Sequence, residues 1–133
     1  AAFLDFLKEN NIPMTIATMS EWDNVEFYIK EFKLAKWFDV DKIVYSNGKI
    51  PGKPAPDIFL IAAGKIGLNP KDCVVFEDAI AGINAAKAAG IGKIIAVDSI
   101  EPIEFYRDID GLSGIITSFD EVDKSMFEIP SVI

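Results

Sequence analysis

The chain has 133 residues, of which 50% are hydrophobic and 26% are charged, and 21 acidic against 13 basic residues give a net charge of −8. This length suits one domain, because about two thirds of the unfolded surface can then be buried. The acidic balance argues against nucleic acid as a partner, since phosphate binding depends on clustered Lys and Arg. Charged residues interrupt every long apolar stretch, which excludes a membrane-spanning helix.

Histidine and cysteine usage narrows the chemistry further. The chain has no histidine, which removes His-based triads, His acid–base catalysis and His-containing zinc sites. The single cysteine, Cys73, cannot form an internal disulfide. We therefore expect a reducing, cytoplasmic location. No basic segment followed by an apolar one opens the chain, so no signal peptide is visible.

Helical and strand patterns alternate along the chain. Helical spacing of Phe3, Leu4 and Leu7 opens it, and an apolar run at residues 14–18 predicts the first strand. The predicted order continues with helix 25–34, strand 43–45, helix 58–66, strand 73–76, helix 83–89, strand 94–97 and strand 114–116. Ser20 or Asp23 is expected to cap the second helix, and Asp78 the fourth.

This alternation predicts the fold class. Short apolar strands between amphipathic helices are typical of a sheet that is covered on both faces. We predict an α/β fold with a doubly wound parallel sheet, in one domain over residues 1–133. Residues 125–133 have weak patterning and are expected to form a frayed tail. Ligands of such sheets bind beyond the carboxyl ends of the strands.

Polar residues follow the first two predicted strands. Thr18 ends the first strand, and its hydroxyl, Ser20 and the N–H groups of the next helix could cradle a phosphate. Lys53 lies between Gly52 and Pro54 and could neutralise phosphate charge. Each has an ordinary alternative, because Ser20 could be a helix cap and Lys53 a solvated turn residue.

Two adjacent carboxylates, Glu77 and Asp78, follow the third predicted strand. Mg²⁺ typically takes one or two carboxylates together with waters and phosphate oxygens. Asp78 could instead be a simple helix cap, whereas a charged Glu77 is costly at the end of a buried strand. A hydroxyl, a lysine and a carboxylate pair at one sheet edge together predict a phosphate-plus-Mg²⁺ site.

Three segments in this order resemble motifs of the haloacid dehalogenase superfamily, in its β-phosphoglucomutase-like branch of phosphatases and mutases. Residues 14–20 resemble the second family motif, a strand that ends in Thr or Ser. Residues 52–59, GKPAPDIF, resemble the third motif, the lysine loop. Residues 74–83, VVFEDAIAGI, resemble the fourth, which supplies acidic metal ligands. The similarity runs from residue 1 to about residue 99.

The resemblance implies a Mg²⁺-dependent phosphatase, a hydrolase that acts on a small phosphorylated metabolite such as a sugar phosphate. It implies attack by an aspartate on phosphorus and a protein that is monomeric when complete. A β-phosphoglucomutase-type phosphomutase, a non-catalytic phosphate- or metal-binding relic and a purely structural α/β domain remain as alternatives. The residues implied are Lys53 and Thr18 in catalysis, Thr18, Met19, Ser20 and Lys53 in phosphate binding, Asp78 as a metal ligand, and Glu77 acting on the metal through water.

The first family motif, D-x-D-G-[TV], has no counterpart ahead of residue 14, and neither has the helical cap domain of this branch. In the family the first motif carries the nucleophile on a strand between those of the second and fourth motifs. We therefore expect the chain to be part of a longer protein. Asp39-Val40-Asp41 reads as a turn, and Asp108-Ile109-Asp110 follows a polar, irregular segment, so we expect a solvated loop there rather than a nucleophile.

Overall fold

The computed structural model describes residues 2–97, 109–122 and 124–127. Each predicted helix and strand has a counterpart among them, although several bounds differ. The helices and strands are α1 (Ala2–Glu9), β1 (Ala17–Glu21), α2 (Trp22–Glu31), β2 (Val44–Ser46), α3 (Asp57–Lys65), β3 (Val74–Glu77), α4 (Ile80–Ala88), β4 (Lys93–Val97) and β5 (Gly114–Ile116). No helix in this described part of the chain has the length and apolarity needed to cross a bilayer.

The described strands all pair in parallel, but they form two sheets. β1 pairs with β2, and β3, β4 and β5 form the second sheet in that order. A cleft of about 380 Å³ lies between the sheets and is lined by residues of both β1 and β3, together with side chains from α1 and α3.

Both faces of the second sheet are buried, as predicted for a doubly wound fold. Along β4, Ile94 and Ala96 join a core cluster with Ile58 of α3 and Ile83 of α4. Ile95, between them in sequence, points to the other face and joins a cluster with Phe3 of α1. The parallel α/β class is therefore confirmed.

The first strand begins and ends later than predicted. The prediction was 14–18, whereas β1 spans Ala17–Glu21, so Thr18, Met19 and Ser20 lie within the strand. The reason is its pairing: β1 aligns Ala17 with Val44 and Glu21 with Ser46, with a register irregularity between them. Hydrophobicity alone does not reveal this ladder, because residues 18–21 are more polar than residues 14–17.

The predicted caps of two helices are wrong. α2 begins after Glu21, and neither Ser20 nor Asp23 caps it. α4 begins after Ala79, and no side chain caps this position, so the prediction of Asp78 as the N-cap is also wrong. In both cases the helix begins within three residues of the end of the preceding strand. The N-cap positions are therefore occupied by Glu21 and Ala79, whose side chains make no capping hydrogen bond.

The last described residues pack against the first helix. Residues 124–127 form a short 3₁₀ helix, and the Phe127 ring lies 5.8 Å from the Phe3 ring between centroids. The beginning of the predicted tail therefore packs against α1. Residues 128–133, and Asp108 of the second D-x-D string, lie outside the described residues.

Candidate phosphate and metal site

Lys53 and Glu77 form an ion pair at the carboxyl end of β3. The Lys53 Nζ donates to Glu77 Oε2 at 2.8 Å, and the two side chains are only 17% and 12% exposed. The residues are 24 positions apart, so the contact depends on the fold that joins the loop before α3 to the end of β3. A charge-assisted hydrogen bond of this length in a mostly buried setting holds both groups in one orientation.

Neighbouring groups hold each partner of the pair. Glu77 Oε1 accepts hydrogen bonds from the backbone N–H groups of Asp78 at 3.3 Å and Ala79 at 3.5 Å. The Lys53 ammonium lies 5.1 Å from the centroid of the Phe59 ring, within the range of a cation–π interaction. The carboxylate thus faces the turn that leads into α4, and the ammonium lies on the first turn of α3.

Thr18 and Ser20 form a small polar group on β1. The Ser20 N–H donates to Thr18 Oγ1 at 3.1 Å, and both residues are half-buried. Met19 lies between them, and its Cε is 3.8 Å from the point that a Cβ would occupy at Gly52. This packing brings β1 beside the loop that carries Lys53. Within residues 2–97, 109–122 and 124–127, no direct hydrogen bond joins Thr18 to Lys53 or Glu77.

Asp78 directly follows Glu77 and is exposed. In the described part of the chain, no group of three or more Asp, Glu or Cys side chains converges to form a complete metal cage. Mg²⁺ does not need such a cage, because it keeps several waters and takes phosphate oxygens from a substrate. An exposed carboxylate at the end of a parallel strand fits this ion.

The contacts of the first D-x-D string and of Cys73 indicate structural roles rather than catalytic ones. The Asp39 carboxylate accepts from the Asp41 N–H at 3.1 Å and caps a 3₁₀ turn, which agrees with the predicted turn. Burial raises the pKa of the Cys73 thiol, and the neighbouring Asp72 carboxylate raises it further. At neutral pH this thiol is protonated and a poor nucleophile.

Sequence reasoning missed two residues that shape the site. Phe59 closes the lysine-loop motif and lies in the third predicted helix, but the sequence does not indicate that its ring lies beside the Lys53 ammonium. Gly82 lies in α4 against Glu77, where a Cβ would overlap the glutamate side chain. A glycine within a helical pattern is a recognisable signal of a close approach, although it does not reveal which group approaches.

Comparisons with known proteins identify the family of this chain. Residues 1–90 match the family model described as haloacid dehalogenase-like hydrolase. This match covers more than half of the chain, and the chain therefore belongs to the haloacid dehalogenase-like hydrolase family.

The chain is also similar to individual proteins. The chain is 40% identical over 132 residues to a Drosophila melanogaster protein named "Probable pseudouridine-5'-phosphatase", covering 96% of this chain and 56% of the relative. It is 41% identical over 85 residues to a Bacillus subtilis β-phosphoglucomutase, covering 64% of this chain and 36% of the enzyme.

A solved structure has the same fold. A family IA, variant 3 hydrolase from Entamoeba histolytica superposes with a TM-score of 0.90 at 40% identity, covering 94% of this chain and 56% of that chain. Against the Drosophila and Entamoeba proteins alike, the chain spans little more than half of the other protein's length.

Proposed function

We propose that this chain carries the phosphate- and Mg²⁺-binding part of a phosphatase that acts on a small phosphorylated metabolite, such as a sugar phosphate. The observation that carries the proposal is the Lys53–Glu77 pair, which holds a lysine ammonium at a strand end directly beside the exposed Asp78. Family membership supports it, and so do relatives named as a pseudouridine-5'-phosphatase and a β-phosphoglucomutase.

Lys53 and β1 would bind the phosphoryl group. The Lys53 ammonium offsets negative charge that builds up on the phosphoryl oxygens during transfer. Because Thr18 Oγ1 already accepts the Ser20 N–H, its own hydroxyl hydrogen can donate to a phosphate oxygen. Met19 and Ser20 contribute the backbone of the same strand end.

Asp78 would hold the metal. Its exposed carboxylate follows β3, and Mg²⁺ bound there supplies a positive charge that offsets the phosphoryl group. Glu77 acts at one remove, through Lys53 and through water, because its carboxylate already accepts three hydrogen bonds. A group in that position typically changes activity by about 10–100-fold when it is removed.

The nucleophile would be an aspartate on a further strand. The family resemblance puts that strand between those of Thr18 and Asp78, and the cleft between β1 and β3 supports this arrangement. The aspartate oxygen bonds to phosphorus as the ester P–O bond breaks, and water then hydrolyses the acyl phosphate.

A phosphomutase is the second candidate, favoured by the 41% identity to β-phosphoglucomutase. The two activities differ in the group that accepts the phosphoryl group, which is water in the phosphatase and a sugar hydroxyl in the mutase. An assay that measures both released inorganic phosphate and an isomeric sugar phosphate distinguishes the two activities.

We further propose a monomeric, cytoplasmic protein, on the basis of its single, half-buried cysteine and its acidic composition.

The test uses the protein expressed from its complete gene with an aryl phosphate substrate and varied Mg²⁺. We expect Asp78→Asn to abolish Mg²⁺-dependent turnover and Lys53→Ala to lower it by about 10²–10³-fold, whereas Glu77→Gln is milder. The matched controls are Asp72→Asn, at the opposite end of β3, and Lys49→Ala, in the loop ahead of Lys53. Wild-type turnover and Mg²⁺ requirement in Asp78→Asn would refute the metal assignment, and a loss below about threefold in Lys53→Ala would refute the lysine's role.

A further inference from the structure

Gly82 is a buried glycine within α4, on the side that faces the end of β3. A Cβ built at this position would overlap Cγ, Cδ and Oε2 of Glu77. Glycine within a helix is unfavourable relative to alanine, and a local packing requirement is one reason for a helix to keep it. Here the requirement is space for the Glu77 side chain.

Gly64 in α3 provides the contrast. It is exposed, and a Cβ at that position would have no neighbouring heavy atom within 4 Å. The two helical glycines therefore differ in what they accommodate, although both stand in helices of nine residues. Gly64 serves as an internal control for the general effect of replacing a helical glycine with alanine.

We infer that Gly82 is a positioning residue, which lets the Glu77 carboxylate lie across α4 and hold Lys53 in place. The inference about the contact stands on the geometry alone, and its consequence for turnover rests on the proposed function. Gly82 touches neither substrate nor metal in this proposal. Its effect passes through Glu77 to Lys53.

An alanine Cβ at position 82 would overlap the Glu77 side chain, and the way in which this overlap is relieved decides whether Lys53 loses its partner. The Glu77 backbone is fixed by the ladder to β4, where it aligns with Ala96. The helix backbone at position 82 is fixed by neighbours that are fully buried, Ile83 and Ala85. Rotation of the Glu77 side chain is the motion with the lowest cost, and that rotation breaks the 2.8 Å contact with the Lys53 ammonium.

The first experiment reads the contact without any assay of activity. The protein from the complete gene and its Gly82→Ala and Gly64→Ala variants are reductively methylated under native conditions, and each lysine is quantified by mass spectrometry. We expect methylation of Lys53 to rise by about threefold or more in Gly82→Ala, because a released ammonium reaches solvent. Exposed Lys49 is the internal reference and should not change. Unchanged Lys53 labelling in Gly82→Ala, or an equal rise in Gly64→Ala, would overturn the inference.

The second experiment measures turnover of an aryl phosphate in a double-mutant cycle. Gly82→Ala should lower kcat/KM by about 10–100-fold, like removal of Glu77 itself, whereas Gly64→Ala should not. In a Glu77→Ala background, Gly82→Ala should have no further effect, because the side chain that it would displace is gone. An equal loss in both backgrounds would overturn the inference. If the parent protein has no phosphatase activity, the proposed function fails, and the methylation result still decides the role of Gly82.

Discussion

The Lys53–Glu77 pair should contribute measurably to folding stability, unlike a surface ion pair. Lys53→Met leaves the Glu77 carboxylate mostly buried, with only two longer hydrogen bonds from the backbone. Removal of one partner of a fully buried pair costs about 3–5 kcal/mol, and the residual exposure here lowers our expectation to about 2–3 kcal/mol. Glu77→Gln keeps an oxygen acceptor for Lys53 and should cost about 1 kcal/mol.

The double variant gives the interaction free energy. With both charges removed, neither partner is left buried without its counterpart, so we expect the double variant to lose only about 1 kcal/mol in total. The coupling free energy between Lys53 and Glu77 is then about 2–3 kcal/mol. The chain offers a matched control in Glu26 and Lys30 of α2, which are 43% and 75% exposed and 3.0 Å apart. This pair should give about 0.3–0.5 kcal/mol.

Urea unfolding by linear extrapolation measures both cycles. The protein from the complete gene is used, with a chelator present so that no metal contributes. Raising the salt concentration from about 0.05 to 1 M should weaken the α2 pair much more than the Lys53–Glu77 pair, since screening acts mainly on exposed charges. A Lys53–Glu77 coupling of no more than about 0.5 kcal/mol, equal to that of the control pair, would refute this reasoning.

Three further predictions concern the core, the cysteine and the chain by itself. Ile83→Ala should lower the free energy of unfolding by about 2–5 kcal/mol because Ile83 is fully buried. Ile80→Ala in the same helix should change it by less than about 1 kcal/mol, since Ile80 is 45% exposed. Urea unfolding of both variants measures the difference, and equal effects would contradict the packing. Burial and Asp72 raise the pKa of Cys73, so iodoacetamide at pH 8 should alkylate the folded protein more slowly than the urea-unfolded one, and equal rates would contradict the raised pKa. The 133 residues by themselves should fold poorly, because in the described part of the chain β1 and β3 each pair with a strand on one side only, and a buried backbone group without a partner costs about 1–3 kcal/mol. They should also hydrolyse no aryl phosphate, since we expect the nucleophile on a further strand. A sharp melt above about 45 °C, or turnover abolished by Asp108→Asn, would contradict these expectations.

Sequence alone determined the fold class and the candidate residues. Apolar runs of the right length between amphipathic helices identified every described strand, because buried parallel strands and their covering helices have distinct periodicities. The motifs around Thr18, Lys53 and Asp78 identified the family that the comparisons confirm. These signals are local, since each depends on residues that are close together along the chain.

Tertiary structure decided the features that depend on distant residues. The bounds of β1 follow from its ladder with β2, so hydrophobicity at residues 14–18 predicted them wrongly. The separation of β1 from β3 depends on which strands find partners, and the pairing of Lys53 with Glu77 depends on two segments 24 positions apart meeting at one sheet edge. The role of Gly82 is of the same kind. A glycine in a helical pattern signals a close approach, but only the packing of α4 against the end of β3 identifies the Glu77 carboxylate as the group that needs the space.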